Sequence, residues 1–261
     1  MLFLLRNIRR RLLTDNKVTT YLLYAIGEIL LVVIGILIAV QIDNWKEDRQ
    51  TRAAEMVYLE NLANDLKTDT SSLSSIISLA TNKSLALQRM NDRAKHKSIE
   101  NIYQFSSDLL SILWDETFIP NTNTYDEMVS SGNLSIINNE ELKLNLLNLN
   151  QQYNSISYNQ THMRKVYDNM LIQPFSENLA WRDYFDMKKF RSSQELTWDS
   201  LYLDQNQQEH VSEALSLLEN KQFQNGLLFF EFDNKLMLNL YEEGKQNAAT
   251  MIEKIDKEIN N

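Results

Sequence analysis

The stretch "YLLYAIGEILLVVIGILIAVQIDNW", Tyr21 to Trp45, is an apolar run interrupted by a single carboxylate, Glu28. At a rise of ~1.5 Å per residue, the 20 residues from Tyr21 to Val40 form a helix of ~30 Å, the thickness of a hydrocarbon core. A secretory signal peptide has a shorter apolar region, of ~7 to 15 residues, and ends at a small-x-small site. The run therefore predicts an uncleaved transmembrane helix over residues 21–42.

The charges beside this run predict its orientation. Residues 1–20 carry five basic side chains and one acidic side chain, and basic flanks are retained on the cytoplasmic side of a membrane. We therefore expect residues 1–20 to form a basic amphipathic cytoplasmic N-terminus, with the membrane surface as its contact. Residues 43–261 are expected on the other side of the membrane, outside the cytoplasm.

The composition after the span restricts the class of the outer domain. It holds 21 basic and 33 acidic residues, a balance that argues against nucleic-acid binding. The chain has no cysteine, so its stability in an oxidising compartment must come from packing alone. Only three glycines and two prolines follow the span, which favours long helices with few turns.

Three apolar stripes at helical spacing run along the outer domain. The spacing of apolar residues alternates between three and four residues, which indicates amphipathic helices that bury one face. Asp69 and Lys83 interrupt the first stripe and Gln160 the second. An antiparallel bundle and a coiled coil are the two arrangements open to such helices, and the short connections favour the bundle. The stripes are positions 59, 62, 66, 69, 73, 76, 80, 83, 87, 90 and 94; positions 142, 146, 149, 153, 156, 160, 163, 167 and 170; and Phe223, Leu227, Phe230, Met237, Tyr241, Ala248, Met251 and Ile255. The fold class predicted is all-α, a transmembrane helix followed by an extracytoplasmic bundle of long amphipathic helices.

Shorter helices are predicted between the stripes. Ser98 is a plausible N-cap for a helix with apolar residues at 102, 105, 109 and 112. A short helix from about Thr124 can end at Gly132, which tolerates a left-handed cap. Asn138 or Asn139 then caps the next helix. The helical step is lost over residues 173–208, which we interpret as an irregular or short-helix insertion rich in aromatic residues.

No pattern in the sequence predicts catalysis, a cofactor or a metal. The three histidines, His96, His162 and His210, lack the spacing of metal-binding motifs. Neither a phosphate-binding glycine loop nor a dinucleotide-binding turn is present. We therefore expect a protein that is not an enzyme and has no cofactor.

One face of the predicted span is suited to helix association. At ~100° per residue, Tyr24, Glu28, Gly35 and Ala39 fall within one arc of about 60°. Small residues beside a carboxylate allow a second helix to approach closely and to hydrogen-bond. The alternative is that Glu28, only ~6 Å from Tyr24 along the helix, reaches the cytoplasmic headgroups by snorkelling. The residues leave these two interpretations equally open.

The aromatic-rich insertion has two interpretations as well. Its large rings, Trp181 and Trp198 among them, either contact a partner or close the end of the bundle. Large aromatic side chains are usually core, which favours the second interpretation. If the domain has an outer contact site, Trp181 and Trp198 are its predicted residues.

Two blocks of the chain carry a family resemblance. The block "YLLYAIGEILLVVIGILIAVQIDNW", followed by "YLENLANDL", and the central block "TYDEMVSSGNLSIINNEEL" resemble a family of uncharacterised bacterial single-pass membrane proteins catalogued as a domain of unknown function. The likeness extends loosely over the whole chain. It implies a membrane-anchored, helical, extracytoplasmic domain, and it implies no activity and no functional residue.

These observations predict a membrane-anchored, non-enzymatic interaction or scaffold protein. Its expected partners are the lipid bilayer and a protein, either a second copy or another chain bound through the span. The alternative function is an extracytoplasmic ligand-sensing domain. Because residues 1–20 are too few for an enzymatic output, such a sensor would signal through a partner membrane subunit.

Overall fold

The computed structural model describes residues 18–114, 117–179 and 206–260, and this part of the chain is all-α, without a strand. The predicted fold class is confirmed. In chain order the helices are α1 (Val18–His96), α2 (Ile102–Leu113), α3 (Asn123–Ser131), a 3-10 turn (Asn133–Ile136), α4 (Glu140–Val166), a π-helical segment (Tyr167–Ile172), α5 (Gln173–Asn178), α6 (Gln207–Glu219) and α7 (Lys221–Ile259).

The chain divides into two compact units, Met1–Val57 and Tyr58–Asn261. In the first unit the described residues belong to α1. An 18-residue window of this helix has a mean hydropathy of 2.7, and none of that window is buried. By length and composition, α1 is therefore apolar enough to cross a membrane.

In the second unit, the three predicted stripes form the buried seams of a bundle. All eleven positions of the first stripe are buried, and so are all eight of the third. Asp69 and Lys83 are buried together with their apolar neighbours. Helices α4 and α7 pack against each other, so the second and third stripes meet between them.

The second stripe changes register at its end. Leu142, Leu146, Leu149, Tyr153 and Ile156 are buried as predicted. After Tyr167, however, the fully buried residue is Leu171, whereas the predicted Met170 is only half-buried. The π-helical segment explains the difference, because its wider turn rotates the following side chains by about one residue.

The N-cap of α2 differs from the sequence prediction. The cap is Asn101, whose side chain accepts a hydrogen bond from the backbone N–H of Gln104 at 3.1 Å. Ser98 instead ends the previous helix: its N–H donates to the carbonyl of Arg93 at 3.4 Å, after Lys97 has turned to a φ of 51°. This bond across the left-handed residue is typical of helix C-termini.

The remaining predicted caps are confirmed. Asn139 caps α4 by accepting from the N–H of Leu142 at 3.0 Å. Gly132 ends α3 with a φ of 77°, a left-handed conformation that costs glycine little.

A buried ion cluster joins α1 to α2. Arg89 and Arg93 of α1 both place a guanidinium nitrogen 2.6 Å from the Asp108 carboxylate, and Gln104 donates to it at 3.0 Å. Burial alone would raise the pKa of Asp108, but the hydrogen bonds from Arg89, Arg93 and Gln104 outweigh burial and hold the pKa below its ordinary value. The carboxylate is therefore charged in the folded protein and tied to both helices.

Helix α7 approaches the π-helical segment most closely at Gly226. A Cβ atom built on Gly226 would lie 2.8 Å from the carbonyl oxygen of Met170 and 2.9 Å from its Cβ atom. At Gly244 of the same helix, the nearest atom to such a Cβ is Cδ1 of Ile156, at 3.2 Å. The contact at Gly226 is with backbone, which cannot move aside as a flexible side chain can.

We expect Gly226→Ala to destabilise the protein. The overlap with Met170 should cost about 1–3 kcal/mol as overpacking, which exceeds the gain of roughly 0.8–1.0 kcal/mol from the better helix propensity of alanine. Gly244→Ala is the matched control, and its stability should equal or exceed that of the wild type. Urea denaturation of the full chain in detergent, followed by circular dichroism, measures both. Equal unfolding midpoints for the two variants would contradict this account.

Candidate functional site

The buried polar side chains of the bundle converge on one stretch of backbone. We call residues 113–124 the connector: it runs from the last residue of α2 into the first turn of α3, and the structure describes all of it except residues 115 and 116. Because most of this stretch is not helical, its peptide groups need partners outside a helix. Side chains of α1, α4 and the π-helical segment provide these partners.

Two carboxylates of α1 hold the C-terminal part of the connector. Asp69 accepts a hydrogen bond from the backbone N–H of Asn121 at 2.8 Å. Asp65, one turn earlier on α1, accepts from Nδ2 of Asn121 at 2.8 Å and from the backbone N–H of Thr124 at 3.2 Å. These bonds fix the start of α3 against α1.

Asp69 is an unusual carboxylate, with only 1% of the residue exposed. Burial raises its pKa above the ordinary value, and the nearby charge of Asp65 adds to this rise. The hydrogen bond from the Asn121 backbone and the nearby hydroxyl of Tyr153 oppose the rise without cancelling it. Burial, together with the nearby Asp69, likewise raises the pKa of the Tyr153 hydroxyl, so this hydroxyl stays protonated.

Lys83 and Tyr167 hold the N-terminal part of the connector. Nζ of Lys83 donates to the carbonyl of Trp114 at 2.6 Å and lies 5.6 Å from the ring centre of Phe230, within the range of a cation–π contact. The hydroxyl of Tyr167 donates to the carbonyl of Leu113 at 2.8 Å. The end of α2 is thus tied to α1 and to the π-helical segment.

Gln160 completes the set in the middle of the connector. With its amide oxygen turned toward the connector, Gln160 accepts from the backbone N–H of Phe118 at 2.6 Å and donates to the carbonyl of Phe118 at 3.2 Å. The hydroxyl of Tyr241 donates to the same amide oxygen at 3.2 Å. The three polar positions in the predicted stripes, Asp69, Lys83 and Gln160, all bind this one stretch of backbone.

A groove of about 440 Å³ lies beside the connector. Its lining combines apolar side chains with the polar groups already described, among them Lys83, Phe118, Gln160, Tyr167, Phe230 and Tyr241. Neither a nucleophile–base pair nor a pair of facing carboxylates lies among its described lining residues. Chemically, these groups hold the fold and line the groove.

The histidines do not form a common site. Nδ1 of His162 lies 3.6 Å from Asp233, and Nδ1 of His210 lies 3.5 Å from Glu213. His96 hydrogen-bonds to the carbonyl of Asp92 within α1. Within the described parts of the chain, no three His, Asp or Glu side chains are grouped closely enough to hold a metal ion.

The predicted association residues lie on the exposed part of α1. Glu28, Gly35 and Ala39 are exposed, and Tyr24 is half-buried. A Cβ atom built on Gly35 would meet nothing within 4 Å, so this face is open in the single chain. Trp181 and Trp198, the predicted outer contact residues, lie outside the described residues.

Sequence reasoning did not identify the connector as the stretch on which the polar groups converge. Asp69, Lys83 and Gln160 were visible as interruptions of apolar stripes, which is the signal that could have found it. A buried polar residue in a seam needs a partner, and the neighbouring "TFIPNTN", residues 117–123, is the kind of non-helical stretch whose backbone supplies one.

The fold and this polar network define the class: an all-α protein with one long, exposed apolar N-terminal helix and a helical bundle that has no recognisable catalytic arrangement in its described part. A model described as "Family of unknown function (DUF6090)" matches residues 28–204. The chain belongs to this family, which confirms the resemblance to a domain of unknown function. No curated protein and no solved structure matches the chain significantly.

We expect two substitutions of Asp69 to separate its role as a hydrogen-bond acceptor from the cost of its buried charge. Asp69→Asn keeps an oxygen for the N–H of Asn121 and removes a buried charge, so the variant should be at least as stable as the wild type at pH 7. Asp69→Leu removes the acceptor, and the orphaned N–H should cost about 1–3 kcal/mol. Urea denaturation at neutral and acidic pH measures both.

The effect of Asp69 on the stability of the protein depends on pH in a direction that its pKa predicts. Because the folded pKa of Asp69 is raised above 3.8, the charged carboxylate costs stability at neutral pH. This cost disappears as the pH falls through the folded pKa toward the ordinary value. The advantage of Asp69→Asn over the wild type should therefore shrink in acid. Equal destabilisation of the Asn and Leu variants at pH 7 would show that the interpretation is wrong.

Proposed function

We propose that this protein is a membrane-anchored, non-enzymatic interaction or scaffold protein of a bacterial inner membrane. In this proposal residues 21–42 span the bilayer, residues 1–20 are cytoplasmic, and residues 43–261 lie in the periplasm. The partner is a second copy or another membrane protein that the span contacts.

The observation that carries the proposal is the complete exposure of the apolar window in α1. A core helix of a soluble protein buries its apolar side chains, whereas a helix that is apolar on all sides and uncovered by its own chain requires an apolar solvent. Glu28 is the one Asp, Glu, Lys, Arg or His between Tyr21 and Ile42. The exposed large apolar residues include Leu22, Leu23, Ile26, Ile29, Leu30, Leu31, Val32, Val33, Ile34, Ile36, Leu37, Ile38, Val40 and Ile42.

The orientation is supported by the charge on either side of the span. Five basic residues stand against one acidic residue before it, and the chain after it is acidic. The retention of Lys and Arg in the cytoplasm then places the bundle on the other side.

A role without catalysis is supported by the use of the buried polar groups. Asp69, Lys83 and Gln160 bind the backbone of the connector, and Asp108 binds two arginines. Ionisable groups that already serve the fold in this way support a role without catalysis, because acid–base catalysis needs a group that is available to the substrate.

The groove beside the connector favours a second candidate function, ligand sensing. Its volume of about 440 Å³ is within the range of small-molecule sites. Under this proposal a ligand bound there would contact Lys83 and Phe118, and through them the N-terminal part and the middle of the connector. A small molecule retained by the purified full chain, identified by mass spectrometry, would support sensing over a purely structural groove.

The proposed topology can be measured with reporters. A reporter fused after Asn261 that is active only outside the cytoplasm should be active, and one that is active only in the cytoplasm should be silent. The opposite pattern would overturn the orientation. The proposed orientation would also be contradicted if both reporters were inactive while the intact fusion proteins were present in the membrane fraction.

The proposed association through the span can be tested at Gly35. Gly35→Leu meets no atom of its own chain within 4 Å at the Cβ position, so loss of association would report on a partner helix. Gly27→Leu is the matched control: its Cβ position is equally open, but it lies about 100° away from Glu28 around the helix. Gly35→Leu should reduce self-association or partner recovery in membranes, and Gly27→Leu should not.

Glu28 variants then separate the two interpretations of the carboxylate. If Glu28 hydrogen-bonds to a neighbouring helix, Glu28→Leu should weaken association by about 0.6–2 kcal/mol, and Glu28→Gln should retain most of it. If Glu28→Gln weakens association as much as Glu28→Leu does, the carboxylate forms an ion pair with the neighbouring helix. If Glu28→Leu and Gly35→Leu both leave association unchanged, snorkelling is the correct account and association through this face is wrong.

A further inference from the structure

Helix α7 carries an apolar face on its outer side. Phe232 is 71% exposed, Leu228 59% and Phe229 57%, and Leu236 is exposed as well. The opposite side of the helix is the third stripe, which is fully buried. Large aromatic and aliphatic side chains grouped on one outer face are typical of a surface that another helix covers.

The residues of this face are symmetric about Phe232. Lys221 lies eleven positions before Phe232 and Glu243 eleven after it; Asn225 and Asn239 lie seven away; Leu228 and Leu236 lie four away; Phe229 and Lys235 lie three away. At ~100° per residue, all eight lie within about 60° of the direction of Phe232. We call these nine residues the α7 face.

We propose that the α7 face binds the α7 face of a second copy of this chain, with the two helices antiparallel and a two-fold axis at Phe232. In such an isologous contact each residue meets its mirror position. Lys221 then meets Glu243, Asn225 meets Asn239, Leu228 meets Leu236, and Lys235 meets the ring of Phe229 in a cation–π contact. Every pair is chemically complementary.

Charge excludes the parallel, in-register alternative. That arrangement would place Lys221 against Lys221 and Glu243 against Glu243, and like charges at matched positions destabilise a helix pair. The antiparallel arrangement converts both contacts into opposite-charge pairs. These charges are available for it: within the described residues, Lys221, Lys235 and Glu243 are exposed and form no ion pair.

The proposal does not rest on the membrane span or on the proposed function. It concerns residues of the second compact unit alone. The two surfaces can therefore be tested separately. The background for the experiment is the full chain carrying Gly35→Leu in detergent micelles. This substitution obstructs the proposed association face of the span, and in micelles the orientation of two chains is not restricted by a bilayer.

Disulfide crosslinking is a direct test, because the chain contains no cysteine. Phe232→Cys should form a disulfide-linked dimer on mild oxidation. Tyr158→Cys, at a residue that is 74% exposed on α4, is the control for random collision and should crosslink several-fold less. A mixture of Lys221→Cys and Glu243→Cys chains with different tags should give the mixed dimer, whereas each variant alone should give little.

Charge reversal adds a test that does not depend on a disulfide. Lys221→Glu and Glu243→Lys should each weaken self-association measured by analytical ultracentrifugation, and the double variant should restore it. Both positions are exposed, so we expect the variants to fold as the wild type does. An unchanged circular-dichroism spectrum is the control for this. Such rescue is expected only if the two charges meet across the interface.

Three results would overturn the proposal. The first is equal crosslinking of Phe232→Cys and Tyr158→Cys. The second is preferential self-crosslinking of Lys221→Cys and of Glu243→Cys, which would indicate parallel helices. The third is a Phe232→Cys thiol that reacts with a water-soluble maleimide far more slowly than the Tyr158→Cys thiol in a monomeric sample, which would show that the face is covered within one chain.

Discussion

The bundle depends on hydrogen bonds between buried polar side chains and the backbone of the connector. Long helices satisfy their own peptide groups, but a non-helical stretch packed against them cannot. Asp69 and Lys83 of α1 and Gln160 of α4 provide the missing hydrogen-bond partners. Each of them occupies a position in a buried seam where an apolar side chain would otherwise lie. The two seams therefore lose apolar contact area at these three positions, but the connector is held to one defined path across the helices. Since an unsatisfied buried peptide group costs about 1–3 kcal/mol, this exchange favours a single native arrangement.

A second constraint is the close approach of α7 to the π-helical segment. Gly226 brings the α7 backbone against the carbonyl of Met170, and Tyr167, the first residue of the segment, donates a hydrogen bond to the carbonyl of Leu113. The two features act together: the π turn changes which side chains face the core, and glycine removes the Cβ atom that would collide with it. The same segment thereby contacts both α7 and the connector, so packing between helices and anchoring of the connector are coupled.

The sequence predicted those parts of the fold that follow from local periodicity. All positions of the first and third stripes are buried, and the caps at Gly132 and Asn139 are as expected. What the sequence did not predict has separate physical causes. The N-cap falls at Asn101 because Ser98 still belongs to the end of the previous helix. The shift from Met170 to Leu171 follows from a non-standard helical turn, and the partners of Asp69 and Lys83 are distant in sequence. A stripe indicates which face of a helix is buried, but it does not indicate which backbone atoms that face will meet.

The two exposed apolar surfaces of this protein differ in a way that assigns them different occupants. In the first unit, apolar side chains are exposed all around α1, from Leu22 to Ile42, and only a surrounding apolar medium covers a helix on every side. In the second unit, the exposed apolar residues of α7 occupy an arc of about 100°, on a face whose two ends along the helix axis carry Lys221 and Glu243. An arc of this width matches one partner helix rather than a bilayer, and opposite charges at the two ends of the face favour a partner with the reverse order of charge. The same face, turned antiparallel, has that order, which is why we propose a bilayer around the first surface and a second copy of the chain on the other.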